Sequence, residues 1–299
     1  MTWIEALLLG VLQGITEFLP VSSSGHLVIG KELLGIETQG ASLEVLLHAA
    51  TVLSIITVFW KEIVMLLRAC LKFRYSGETH YVLMLIISML PVLVVGIFFK
   101  PQIEALFGSG LALVGSMLLV TAALLLLGQI LSLRGGAVRN GGVSVGRGGA
   151  VRNGSVSVGR GGAYGMTGEG ASSMTVKDAF VMGVAQAVAV LPGLSRSGAT
   201  ISTGLLLGKD RGSVATFSFL MVLVPILGEA FLDLAKGGFH PQASGIPVWS
   251  LLIGFIAAYL TGLAACRWMV ALVKKAKLWG FAIYCALAGS FCLLYYFLR

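Results

Sequence analysis

The sequence predicts an all-α polytopic membrane protein made of two inverted repeats, each a re-entrant helical hairpin plus three transmembrane helices, with six full spans. Three observations carry that expectation. Apolar residues make up 57% of the chain and charged ones 11%, against about 25% charged in average soluble chains. A polar stretch, Gln13-Gly-Ile-Thr-Glu17-Phe-Leu-Pro20-Val-Ser22-Ser23-Ser24-Gly25-His26, interrupts an otherwise apolar segment and has a second copy. Laying Gly10 on Gly183 also lays Gln13 on Gln186, Ser22 on Ser195, Ser24 on Ser197 and Gly25 on Gly198. Paired interrupted segments in two halves point to a site at the repeat interface. Finally, Lys and Arg gather in alternate loops, as membrane topology requires.

Residues 3–18 and 26–35 are each shorter than the roughly 20 residues a spanning helix needs, so 3–35 reads as one hairpin. Gln13 and Glu17 share a helix face. Pro20 then stops the helix and biases Leu19 to an extended backbone. The serines suit an N-cap, and Gly25 permits close backbone approach, so a second helix starts there with His26 in its first turn. Spans follow at 41–60, 81–99 and 111–133, with a basic loop of Lys61, Arg68, Lys72 and Arg74 after the first. These elements make up the first repeat, 1–133.

Residues 134–176 read as a Gly/Arg-rich low-complexity loop. Residues 135–147 are GGAVRNGGVSVGR, and 148–160 repeat the string with one change. Such composition is flexible, and a tandem duplication tolerated in a solvated loop is preferred over a nucleic-acid or anionic-lipid contact. The second repeat, 177–299, holds a hairpin at 179–208 and spans at 213–234, 248–268 and 278–298. Cys70, Cys266, Cys285 and Cys292 lie in or beside apolar segments, without metal spacing or a disulfide framework. No basic n-region marks a cleavable signal at Met1-Thr-Trp.

With residue 1 on the outer side, the inner loops collect Lys61, Arg68, Lys72, Arg74, Lys177, Lys209, Arg211, Arg267, Lys274, Lys275, Lys277 and the insert arginines. The outer side keeps Lys31, Lys100, Lys236 and Arg299. Both termini are therefore expected outside. An odd number of crossings per half inverts the halves, so the hairpins enter from opposite faces and their tips meet near the midplane.

Polar residues at membrane depth are costly and default to a functional site. Free N–H groups at the two helix starts suit an anion such as phosphate. Arg196 is a cation whose planar fork matches phosphate oxygens. Ser23 needs a base within reach. His26 lies three residues on, and Glu17 is placed to orient His26 or bind a metal. Glu44 and His48 are a second polar pair, at the start of a span. Glu229 and Asp233 read as interfacial, and His80 and His240 as solvated loop residues.

The first stretch resembles the motif of the bacterial undecaprenyl-diphosphate phosphatase family, also called the bacitracin-resistance proteins, in Gln13, Glu17 and Phe18 through His26. A second family motif stands as Pro192-Gly193-Leu194-Ser195-Arg196-Ser197-Gly198-Ala199-Thr200. The resemblance covers about 1–130 and 175–299 and leaves out the middle. It implies that Glu17, Ser23, His26 and Arg196 are catalytic, with Gln13, Ser22, Ser24, Ser195, Ser197 and Thr200 binding substrate. Some members carry Glu where Gln13 stands, which weakens any mechanism needing two carboxylates. The family often has an acid and a His or Gln at the Glu44 and His48 positions. The resemblance further implies a divalent cation, Mg²⁺ or Ca²⁺, held by Glu17, although no dedicated cage is visible. The expected substrate is a polyprenyl diphosphate lipid. The expected setting is the bacterial inner membrane with periplasmic termini, no nucleic acid, and room for a homodimer. The activity implied is hydrolysis of undecaprenyl diphosphate to the monophosphate carrier of cell-wall synthesis, which confers bacitracin resistance. The rival reading is a transporter or flippase of the carrier, which needs no nucleophile. A second lipid-phosphatase superfamily also uses Ser-Gly-His, but its later His and Asp are missing after Arg196.

Overall fold

The computed structural model describes residues 1–36, 42–72, 74–107, 110–140, 174–235, 245–275 and 278–298, and these residues are helical with no strand among them. Thr2 starts α1 (Trp3–Phe18) with a capping box, its hydroxyl accepting from the Glu5 N–H while the Glu5 carboxylate accepts from the Thr2 N–H. Leu19 leaves the helix extended, at φ −73° and ψ 143°, as Pro20 requires. After the break comes α2 (Ser23–Leu34), followed by α3 (Ser42–Val58), α4 (Trp60–Leu71), α5 (Gly77–Phe98), α6 (Lys100–Phe107) and α7 (Gly110–Asn140). The second half contributes α8 (Val176–Val188), α9 (Arg196–Leu206), α10 (Arg211–Leu220), α11 (Leu223–Ala235), α12 (Val248–Lys275) and α13 (Trp279–Leu298).

Five stretches are long and apolar enough to cross a membrane, namely 77–98, 110–131, 211–232, 248–272 and 279–298, and α3 with α4 makes a sixth if that bent pair is one span. The segments expected to form hairpins each hold a pair of short helices, α1 with α2 and α8 with α9. Five boundaries differ from expectation, one of them at the fifth span, where α12 runs on from the expected end at 268 to Lys275. The basic loop after the first span is a helix, α4, turned 78° from α3. Its apolar residues Ile63, Leu66, Leu67, Cys70 and Leu71 follow helical spacing, which gives one apolar face and one basic face. The third span runs on to Asn140, into the first copy of the repeated string. The fourth is interrupted at Met221 and Val222, between α10 and α11. A short helix, α6, follows Phe99 where only a span end was expected. Most of the insert (141–173), His240, Lys236, Lys277 and Arg299 lie outside the described residues, as do the side chains of Glu229 and Asp233.

Packing runs across the halves. The first arm α1 lies on α12, the middle span of the second half, and α8 lies on α5, the middle span of the first. The third spans, α7 and α13, pack together. Small residues set these contacts, as is usual where lipid removes the hydrophobic drive between helices. A Cβ on Gly10 would stand 2.4 Å from the Gly254 carbonyl oxygen, and one on Gly183 would stand 2.4 Å from that of Ser88. Gly10 and Gly183 are the two residues that the internal register superposes, so the same device is used twice. Outward faces are apolar, with Leu83, Ile86 and Leu90 on α5 and Ile283, Leu287 and Leu294 on α13 all exposed. Polar residues such as Gln13, Thr16, Gln186 and Thr200 are buried.

Candidate active site

The two helix breaks meet in the interior. A Cβ on Gly25 would lie 3.1 Å from the Gly193 Cα, so any larger residue would push the tips apart by a few tenths of an ångström. Gly193 itself turns at φ 92° against the Val114 carbonyl. Thr121 on α7 fixes the second tip, its hydroxyl accepting from the Ser195 N–H at 2.9 Å. Ser197 fixes one tip to the other by donating to the Leu19 carbonyl at 3.2 Å.

Each break is capped by the serine that the internal register superposes. Ser22 Oγ accepts from the Gly25 N–H at 3.2 Å, and Ser195 Oγ accepts from the Gly198 N–H at 3.1 Å. The remaining N–H groups at the starts of α2 and α9 stay available for an anion. Ser22 holds φ 70° and ψ 93°, the one non-glycine residue with positive φ among the described residues. Such a backbone costs on the order of 1–3 kcal/mol and persists only where its surroundings enforce it.

Glu17 is the centre of the constellation. Its Oε2 accepts from the Gln13 amide at 2.9 Å and, at closer range, from the Ser23 hydroxyl. His48 Nε2 stands 3.4 Å from the same oxygen. Arg196 Nη2 donates to Oε1 at 3.4 Å. Four of the sequence-predicted residues, Gln13, Glu17, Ser23 and Arg196, are therefore in direct contact. Ser197 and Thr200 line the adjoining pocket with Phe18, Ile55, Gln186, Ser218 and Phe219. Thr200 and Ser218 share a hydrogen bond of 2.6 Å. Ser24 Oγ lies 3.3 Å from Ser22 Oγ, at the first tip.

His26 is placed differently from its expected role. Its Nδ1 donates to the Ser22 carbonyl at 2.7 Å, which leaves Nε2 of the neutral ring to accept from Tyr284 OH at 2.6 Å. The ring also stacks on Tyr284, with centroids 5.6 Å apart and planes at 11°. Ser23 is hydrogen-bonded to Glu17 instead, and Glu17 orients Ser23 and not His26. The reason is helical geometry. A side chain in the first turn reaches back to the carbonyl four residues before it, here that of the strained Ser22.

The structure also separates Glu44 from His48. Glu44 is ion-paired to Lys31 away from the tips. The His48 Nδ1 donates to the Glu44 carbonyl at 2.7 Å, which aims Nε2 at Glu17. His80 is tied to Met174 O at 3.0 Å and to Tyr75 OH. Tyr284, Thr121, Ser218 and Gln186 were missed as site residues. For Gln186 a signal existed, because it superposes on Gln13. Both amides are buried, and each leaves one polar atom without a partner among the described residues, Oε1 of Gln13 and Nε2 of Gln186.

Among the described residues no three His, Cys, Asp or Glu side chains cluster to hold a metal. Glu17 fits the mode in which a magnesium-like ion is held by one or two carboxylates and completed by substrate phosphate oxygens, whereas the His48 imidazole is not a ligand of that hard-oxygen kind.

The family model described as bacitracin resistance protein BacA matches residues 6–291, running through the middle that the motifs had left out. The chain is 48% identical over 293 residues to the undecaprenyl-diphosphatase of Bacteroides fragilis strain YCH46, covering 97% of this chain and 96% of that protein. It is 47% identical over 291 residues to that of Parabacteroides distasonis, covering 97% and 96%. It is 32% identical over 301 residues to that of Oceanobacillus iheyensis, covering 98% and 97%.

Proposed function

The chain belongs to the bacitracin resistance protein BacA family, and from that premise we propose that it is a membrane-embedded undecaprenyl-diphosphatase, hydrolysing the lipid diphosphate to the lipid monophosphate and inorganic phosphate. The observation that carries the mechanism is the hydrogen bond from the Ser23 hydroxyl to Glu17 between two capped helix N-termini, with Arg196 beside it. Ser23 Oγ attacks the terminal phosphorus while Glu17 takes its proton. The bond from that phosphorus to the bridging oxygen breaks, and the lipid monophosphate leaves with the electron pair. Water then cleaves the phosphoserine, and Ser23 regains a proton. Phosphoryl transfer depends on positioning and charge stabilisation more than on covalent chemistry. Arg196 and the free N–H groups of α2 and α9 supply that stabilisation. His26, held by Ser22 and Tyr284, sets the first turn that presents Ser23. A divalent cation held by Glu17 and the substrate's own phosphate oxygens would neutralise phosphate charge. Phe18, Ile55 and Phe219 make the apolar side of the pocket. The transport alternative is not favoured, since it leaves the Ser23–Glu17 pair without a task. The test is phosphate release from undecaprenyl diphosphate by the purified protein in detergent. Release at the rate of heat-inactivated protein would reject the assignment.

Both termini face the outer side in this reading. The support is that the α4–α5 junction, with Lys61, Arg68, Lys72 and Arg74, adjoins the start of α8 through the His80–Met174 contact, which gathers basic segments on one face. In a background lacking the four native cysteines, Glu5→Cys should react with an impermeant maleimide from outside and Lys209→Cys only after permeabilisation. The reverse pattern would invert the topology.

A further inference from the structure

We propose that the cavity between α4 and the start of α5 is a binding site for the headgroup of an anionic phospholipid, distinct from the diphosphate site. The cavity measures about 810 Å³. Lys61, Arg68, Lys72 and Arg74 line it against a single lining carboxylate, Glu78, and among the described residues none of the four cations is held in a salt bridge. The capped N-terminus of α5, where Ser76 accepts from the Thr79 N–H, adds a positive dipole end. The walls also hold Trp60 and Tyr75, aromatic residues suited to headgroup depth.

The fold states what kind of anion fits. The 78° turn at Phe59 lays α4 away from the direction of α3, with its apolar face partly packed on the core through the buried Leu66. Leu67 and Leu71 of α4, each one residue before a lining cation, are exposed at 59% and 73%. An amphipathic helix with basic and aromatic residues on its rim is built to lie in the membrane interface. A ligand with a negative head and two acyl chains satisfies both the cations and the exposed leucines, whereas free phosphate satisfies only the first. The unbalanced positive charge disfavours a zwitterionic head, whose choline would meet four cations. It equally disfavours the basic 135–160 segment as an occupant.

Native mass spectrometry of the full-length protein, titrated in detergent with phosphatidylglycerol or phosphatidylcholine, tests the site. The wild type should hold phosphatidylglycerol at least tenfold more tightly. Arg68→Gln/Arg74→Gln should weaken that binding roughly twentyfold, since each basic residue at a charged interface contributes about fivefold. Both arginines are exposed and outside the catalytic tips, so phosphate release in detergent should be unchanged. Arg68→Lys/Arg74→Lys keeps the charge and should keep the preference, which separates charge loss from misfolding. Millimolar inorganic phosphate should leave the lipid in place. Equal affinity for the two lipids, an unaltered preference in the Gln variant, or displacement by inorganic phosphate would overturn the proposal.

Discussion

Glu17→Gln should lower phosphate release by roughly a hundred- to ten-thousandfold, the span expected for loss of a positioned general base. Gln keeps the shape of Glu17 and can still contact Ser23 and Arg196, but it cannot take the serine proton. Ser23→Ala should cost at least about a hundredfold, because the group lost is the one Glu17 serves. The informative measurement is the double variant. Residues acting as a unit are grossly non-additive, so Glu17→Gln/Ser23→Ala should be little worse than the poorer single variant. Multiplicative losses would separate the two roles. Near-normal turnover of Ser23→Ala would remove serine from the nucleophile position and favour water activated by Glu17. His26→Gln, which retains a side chain able to reach Tyr284, is the control for a positioning role and should fall well short of the Glu17 loss.

Arg196→Lys should fail nearly as badly as Arg196→Ala, losing roughly ten- to a hundredfold in turnover, the equivalent of one charge-assisted contact at about 1.5–3 kcal/mol. Among the described residues the structure gives Arg196 one side-chain partner, Glu17. It touches Glu17 through one Nη2 at 3.4 Å, a long contact, while 28% of its side chain remains accessible. The rest of its fork is therefore free to address phosphate oxygens bidentately, which a lysine cannot do. If Arg196 served only to tie the hairpins together through Glu17, Ala would destabilise the protein and Lys would largely restore it. Thermal stability in detergent, measured beside turnover on both variants, decides. An Arg196→Lys protein with wild-type turnover would sink the clamp.

What could be read in advance was what local chemistry determines. Pro20, the serine caps and Gly25 fix the breaks within a few residues, and they stand where expected. The internal register located the second break, and the same register pointed to Gln186, although its amide was not recognised as part of the site. What could not be read depends on which distant side chain a group meets. Whether Ser23 would bond His26 or Glu17 is decided by the unusual backbone of Ser22, which no composition reveals. Tyr284 reaches His26 across 258 positions, and nothing near it marks it as more than an interface tyrosine. The error at α4 was of another kind. Its helical spacing was present, but the basic residues were read as a loop because charge ended the apolar run. An interfacial helix satisfies both signals.

The contact between Glu17 and Arg196 joins residues 179 positions apart, and it has a consequence for biosynthesis. At roughly 5–20 residues per second, about 10–40 s separate the emergence of one partner from that of the other. During that interval the nascent first hairpin carries a carboxylate whose available neighbours are Gln13, Ser23 and, once α3 has formed, His48. None of these is a permanent cation. The ribosome thus delivers the half with Glu17 and Ser23 before the half with Arg196. The catalytic pocket is assembled only when the second half threads in and docks α8 on α5 and α12 on α1. A truncated chain released partway would have a serine and its base but no Arg196 to receive the diphosphate, and no second tip to close the pocket.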